Sequence, residues 1–205
     1  MILRHDTISA MRWLLAAVVV AIVLAGFVHL NSTARLYNNS TNTMGTSTLS
    51  LKIPVFADGA SIPAKYTCDA ASAVSPAIEI SDIPSGTASL ALIMDDPDIP
   101  AVFKQQRGIS EYVHWVLFNI PATTTEIAEG GSAGVAGANG GGQNAYTGPC
   151  PPPQYEPSEH RYIFKLYALD QILPVPSGAT KDMVEKAMDG HILVETQYTG
   201  RYKRQ

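Results

Sequence analysis

The sequence predicts a mainly β protein, an antiparallel β-sandwich or barrel, carried behind a membrane-spanning helix. Three observations predict it. Apolar runs from Leu49 onward are short, alternate or β-branched, and most are bounded by Pro, Gly or Asp. Helical periodicity appears once in that region, near its end. An eighteen-residue stretch near the N-terminus contains no Asp, Glu, Lys or Arg.

That stretch, "WLLAAVVVAIVLAGFVHL" (13–30), meets the lower limit for a transmembrane helix, roughly 17–25 residues. Arg4 and Arg12 precede it, and the next basic residue is Arg35. Positive charge is retained on the cytoplasmic side, so residues 1–12 are expected inside and the rest outside. The competing reading is a secretory signal, with Ser32 and Ala34 as a small-x-small cleavage site; the protein would then be secreted. Residues 31–48 are rich in Asn, Ser and Thr and read as a flexible tether, leaving 49–205 as the folded domain.

Within that domain the expected strands are "LSLKIPVF", "AIEIS", "SLALIMDD", "YVHWVLFNIP", "RYIFKLYALD" and "HILVETQY". "ATKDMVEKAMDG" is the helix: Ala179, Met183 and Ala187 share a face, Thr180 is its cap and Gly190 its stop. There is no βαβ rhythm and no internal repeat. Net charge is -4, with no basic stripe interleaved with aromatics, which argues against nucleic acid as a partner.

Chemistry-bearing residues fall in four places. "IMDDPDIP" sets Asp95, Asp96 and Asp98 around Pro97 at the end of a strand. Such carboxylates cap a turn by accepting from nearby amides, or orient a histidine that meets a ligand. In "YVHWVLFNIP", strict alternation puts Tyr112, His114, Val116 and Phe118 on one face and Val113, Trp115, Leu117 and Asn119 on the other. His114 among apolar neighbours is a satisfied core histidine unless a second polar group converges on it. His160 and Tyr162 lie two residues apart and hence on one face, either as a donor pair for an anion or as an exposed strand edge. The glycine-rich stretch from Glu129 to Gly148 lets amides turn toward an anion, or is a loop without fixed structure. It has no G-x-x-x-x-G-K-S/T, so a nucleotide loop is unsupported. Five prolines lie between Thr147 and Ser158, just before His160. They stiffen the loop that leads into it.

Cys68 and Cys150 are the two cysteines, and in an exported domain they are expected to pair. Two thiols are too few for structural zinc, and HExxH, CxxC and metal-spaced histidine pairs are absent. No metal or cofactor is expected. There is no G-x-S-x-G elbow, so a hydrolase built on His114, His160 and Asp96 is the weakest functional reading.

Taken in order, "YTCDAASAVSPAIEIS", "SLALIMDDPDIP", "HWVLFNIP", "GPCPP" and "HRYIFKLYALD" resemble the phosphatidylethanolamine-binding protein family, and within it the bacterial and archaeal Raf-kinase-inhibitor-like branch. The resemblance runs from about residue 49 to 202. It implies a Greek-key β-sandwich with few short helices and a small anion pocket at one end. By the resemblance, Asp96 and Asp98 are the pocket aspartates, with a cis bond at Asp96–Pro97. His114 is the first pocket histidine, His160 and Tyr162 the second histidine and its tyrosine, and Gly148 and Cys150 give backbone to the rim. It implies a non-enzymatic binder of phosphate, phosphorylethanolamine or a phospholipid headgroup. The alternative it implies is a protein inhibitor whose partner is a serine protease or a signalling kinase, with the pocket as regulatory or docking site.

Overall fold

The computed structural model describes residues 48–204, so the expected anchor at 13–30 lies outside the described residues. Among those described, no helix is long and apolar enough to cross a membrane. The strands are β1 (Ser50–Lys52), β2 (Ile78–Ser81), β3 (Ser89–Asp96), β4 (Tyr112–Pro121), β5 (Glu126–Ile127), β6 (Val135–Ala136), β7 (Glu159–Leu169) and β8 (Ile192–Lys203). All their pairings are antiparallel. They form a three-stranded sheet, β1-β2-β5, and a five-stranded sheet, β6-β4-β3-β7-β8.

Alternation explains how the sheets meet. From β1, β2 and β5, Leu51, Ile78, Ile80 and Ile127 point inward and share one cluster with Leu90, Leu92 and Met94 of β3 and Phe164 and Leu166 of β7. Each such side chain, fully buried, contributes roughly 1.5–3 kcal/mol. The outer face of the five-stranded sheet carries Ala91, Ile93, Val116, Phe118 and Leu169. A helix covers it, α2 (Lys181–Met188), through Val184 and Met188. β3 is therefore buried on both faces along its whole length. Its last two residues are acidic, one for each face.

α2 starts where the cap signal placed it. The Thr180 hydroxyl accepts from the Met183 amide at 3.4 Å, and Gly190, at φ 77°, turns the chain away. Its inward face differs from the expectation. Met183 is exposed, and the buried positions are Lys181, Val184 and Met188. Lys181 goes inward because it has acidic partners there.

A further helix, α1 (Ala101–Arg107), was not marked by periodicity, since none of its residues is buried. Its ends set it instead: Pro100 enters it at a fixed φ, and Gly108 leaves it in the left-handed region at φ 65°.

Candidate functional site

One extra residue in β4 re-aims the central histidine. Met94 pairs with Trp115, but Asp95 pairs with Val113, so His114 sits in a β-bulge. Strict alternation would leave His114 with Val116 and Phe118 on the outer face. The bulge instead turns it to the face between the sheets, where its ring meets Tyr162 edge-on at 5.1 Å and Tyr112 at 4.9 Å. The expected sharing of a face by His114, Val116 and Phe118 is thus corrected.

His160 and Tyr162 do share a face, and it is an interior one, not an exposed strand edge. They are 1% and 0% exposed, with rings stacked 6.4 Å apart. His160 Nδ1 donates to Asp96 Oδ2 at 2.7 Å. The other Asp96 oxygen accepts from the Asp98 amide at 2.8 Å. Turn capping and histidine orientation are therefore both done by one carboxylate, one oxygen each.

Three buried side-chain polar atoms lack a protein partner among the described residues, and two of them are here, His160 Nε2 and the Tyr162 hydroxyl. The Cys150 amide approaches that hydroxyl without closing a hydrogen bond of normal geometry. Burial, reinforced by the Asp96 charge, pushes the Tyr162 phenol far up, so it stays a donor at any ordinary pH. Beside His160 lies a cavity of about 300 Å³. Asp96, His114, Gly148, Cys150 and His160 all line it.

Three expectations fail. Tyr162 packs against both pocket histidines but does not line the cavity. Asp98 does not line the cavity: Arg161 takes it from outside, Nε to Oδ2 at 2.8 Å and a terminal nitrogen to Oδ1 at 2.7 Å. That pairing holds the Asp98 carboxyl below its ordinary value. The cis bond is at Glu156–Pro157, not at Asp96–Pro97. The turn at Pro97 is closed by the Asp96–Asp98 hydrogen bond instead.

The rim comes from two loops. The Cys68–Cys150 disulfide forms, with Cα atoms 5.3 Å apart, and ties the proline loop to the turn after Tyr66. Gly148 packs so closely there that a Cβ would meet the Tyr66 carbonyl oxygen at 2.9 Å. Across the mouth, α1 brings Phe103 and Arg107 to the lining, and Phe103 meets Tyr155 of the proline loop at 5.3 Å. The glycine-rich loop is neither slack nor aimed at the cavity. Its amides turn inward on buried Asn139, whose Oδ1 accepts from Gly141 and Gln143.

Sequence reasoning missed Arg107, Asn139 and Thr147. Asn139 Nδ2 donates to Thr147 Oγ1 at 2.7 Å, and the Thr147 carbonyl accepts from His114 Nδ1 at 2.7 Å. A lone asparagine among glycines, and the Pro100/Gly108 pair around α1, were the available signals. No group of three or more His, Cys, Asp or Glu among the described residues is placed to hold a metal.

The family model described as phosphatidylethanolamine-binding protein matches residues 52–203. The chain belongs to that family. A UPF0098 protein of Chlamydia pneumoniae is 41% identical over 157 residues, covering 76% of this chain and 99% of its own. One from Methanothermobacter thermautotrophicus is 40% identical over 163 residues, with the same coverage. Among solved structures, a phosphatidylethanolamine-binding protein homolog from Chlamydia trachomatis superposes with TM-score 0.71 at 35% identity, over 78% of this chain and 100% of that one. E. coli YbcL, described as a new member of the mammalian branch of the family, gives 0.65 at 25% identity, over 77% and 99%.

Proposed function

We propose that this family member is a non-enzymatic, exported binding protein whose cavity holds a small oxyanion, phosphate or the phosphate of a lipid headgroup. The observation that carries the reading is His160 Nε2. It is buried beside the cavity, it has no protein partner, and Asp96 fixes its ring through the other nitrogen. As imidazolium, His160 donates from both nitrogens, one to Asp96 and one to the ligand. The Arg107 guanidinium, which also lines the cavity, is a second donor.

Charge supports the same reading. Asp96 and protonated His160 cancel, and Arg107 adds one positive charge at the mouth, where no described acidic side chain pairs with it. The thiol and hydroxyl side chains at the cavity are engaged: the Cys150 sulfur is in the disulfide, and the Thr147 hydroxyl accepts from Asn139. That favours binding over covalent catalysis. The disulfide also supports an oxidising compartment, as export across a membrane would give.

Calorimetry of the full-length chain with inorganic phosphate tests the proposal. One saturable site is expected at pH 6. His160→Gln should weaken it roughly 10- to 150-fold, the loss of one charge-assisted hydrogen bond of about 1.5–3 kcal/mol. The absence of both binding heat and any rise in melting temperature with millimolar phosphate would end the reading and leave inhibition of a protease or kinase in front.

A further inference from the structure

We infer that His114 is the hydrogen-bond acceptor of this cavity, so that the ligand it selects is an oxyanion still bearing a proton: a phosphomonoester in its singly charged form, in preference to a sulfate ester or a phosphodiester. The inference rests on the oxyanion reading above and adds which oxyanion.

The argument starts from a carbonyl. A carbonyl oxygen only accepts, so the 2.7 Å contact from His114 Nδ1 to Thr147 O requires the proton on Nδ1. The carbonyl is not free to turn away. The Thr147 amide donates back to the His114 carbonyl at 2.9 Å, and Asn139 holds the Thr147 side chain. Asn139 is itself pinned through Oδ1 by two loop amides. The tautomer of His114 is therefore set by a chain of contacts that ends in the glycine-rich loop. With Nδ1 committed, Nε2 is the ring nitrogen left for the cavity that His114 lines.

The ring's surroundings keep it neutral. Tyr112 on its own strand and Tyr162 on β7 meet it edge-on, and it is 4% exposed. The charged groups facing it are Asp96 and, through the sheet, Asp95 from β3, His160 from β7, and Arg107 from α1 across the cavity. Burial outweighs the two carboxylates and pulls His114 below the ordinary histidine range. A neutral ring with its proton on Nδ1 offers a lone pair at Nε2.

The side chains lining the cavity thus present two donors, His160 Nε2 when its ring is imidazolium and the Arg107 guanidinium, and one acceptor, His114 Nε2. A singly protonated phosphate ester matches that set with its two bare oxygens and one P–OH. Its single negative charge also matches the one positive charge that Arg107 leaves over. A sulfate ester or phosphodiester has the same charge and no proton. It would set an oxygen lone pair against that of Nε2.

Three probes of one size class test this on the full-length chain at pH 5.5: methyl phosphate, methyl sulfate and dimethyl phosphate. A monoester's second ionisation lies near pKa ~6, so methyl phosphate is then mostly the proton-bearing monoanion. It is expected to bind at least about 10-fold more tightly than either of the others, the cost of one mismatched buried polar contact. Its advantage should shrink as pH rises to 8 and the P–OH ionises. Nitrogen NMR of the complex should show His114 protonated on Nδ1 alone. Methyl sulfate or dimethyl phosphate binding within twofold of methyl phosphate, or a doubly protonated His114 in the complex, would overturn the inference while leaving the oxyanion site intact. If none of the three binds, the underlying reading falls, and this one with it.

Discussion

Asp95 and Asp96 are adjacent, both buried at the end of β3, and they serve two unlike networks on opposite faces of one sheet. On the outer face, Asp95 Oδ2 accepts from Lys165 and Lys181, each at 2.8 Å. Lys181 also bonds Glu111 and lies 3.5 Å from Glu185 within α2. On the inner face, Asp96 meets, among the described residues, only His160 and the Asp98 amide. Each network has one unpartnered buried atom, Asp95 Oδ1 and His160 Nε2. The difference is what lies beside it. A cavity adjoins His160, while α2 packs over the face that Asp95 points to. Buried charge alone therefore does not mark a binding site. An open hydrogen-bonding valence that faces a cavity does.

The comparison breaks most visibly at Lys181. Burial would push this lysine down, but its bonds to Asp95 and Glu111 win and hold it above the ordinary lysine range. Lys181→Met keeps the stem and removes the charge. Breaking a buried pair costs roughly 3–5 kcal/mol, and the lower end is expected because Lys165 still neutralises Asp95. The urea midpoint should fall accordingly. Adding Asp95→Asn should restore part of the loss, since no buried charge is then left over. Phosphate affinity of the folded fraction should stay within twofold. A parallel loss of affinity would mean that the two faces are coupled and that the contrast drawn here is wrong.

Sequence and structure part company at identifiable residues. The long strands were legible because alternation is a local rule that side chains report directly. β5 and β6 were not, since two residues carry no period. The inward turn of His114 was also not legible. It depends on one extra residue in β4, and only the pairing with β3 reveals it. The motif around Pro97 showed that a carboxylate would matter, but not which one. Asp96 and Asp98 are equivalent by type, and Arg161, 63 residues away from Asp98, decides between them. Lys181 was absent from the expected helix face for the same reason, because its partners Asp95 and Glu111 are distant in the chain.

A second way to sharpen the comparison is pH. His114 is pulled below its ordinary value by burial, whereas the unfolded chain titrates it near ~6.5. Between the two values the unfolded state binds more protons, so stability rises with pH across that window. The contribution is complete above about pH 6.5 and is lost as pH falls toward the folded value. Lys181 of the outer network, held above the ordinary lysine range, stays charged throughout and contributes no slope there. Urea midpoints measured from pH 7.5 down to 5 should therefore fall in the wild type and fall less steeply in His114→Gln. Identical slopes would show that His114 is not the buried neutral base described here.

The smallest effect is expected where sequence and structure disagree most plainly, at Asp98. Its side chain is partly covered and Arg161 is about half exposed, so their paired contact is a surface ion pair in spite of its two short bonds. Such pairs are worth about 0.2–1 kcal/mol. Asp98→Asn keeps an acceptor for the Arg161 backbone amide and removes the charge. Because Arg161 lowers the Asp98 value, the contribution is present above the unfolded carboxylate range near ~3.9 and fades as pH falls through the folded value. At pH 7 the variant should lose no more than about 1 kcal/mol. At pH below that folded value it should match the wild type. Phosphate affinity should not change, since Asp98 does not reach the cavity. An affinity loss near that of His160→Gln would return Asp98 to the pocket, and the inner network would then be held by two carboxylates.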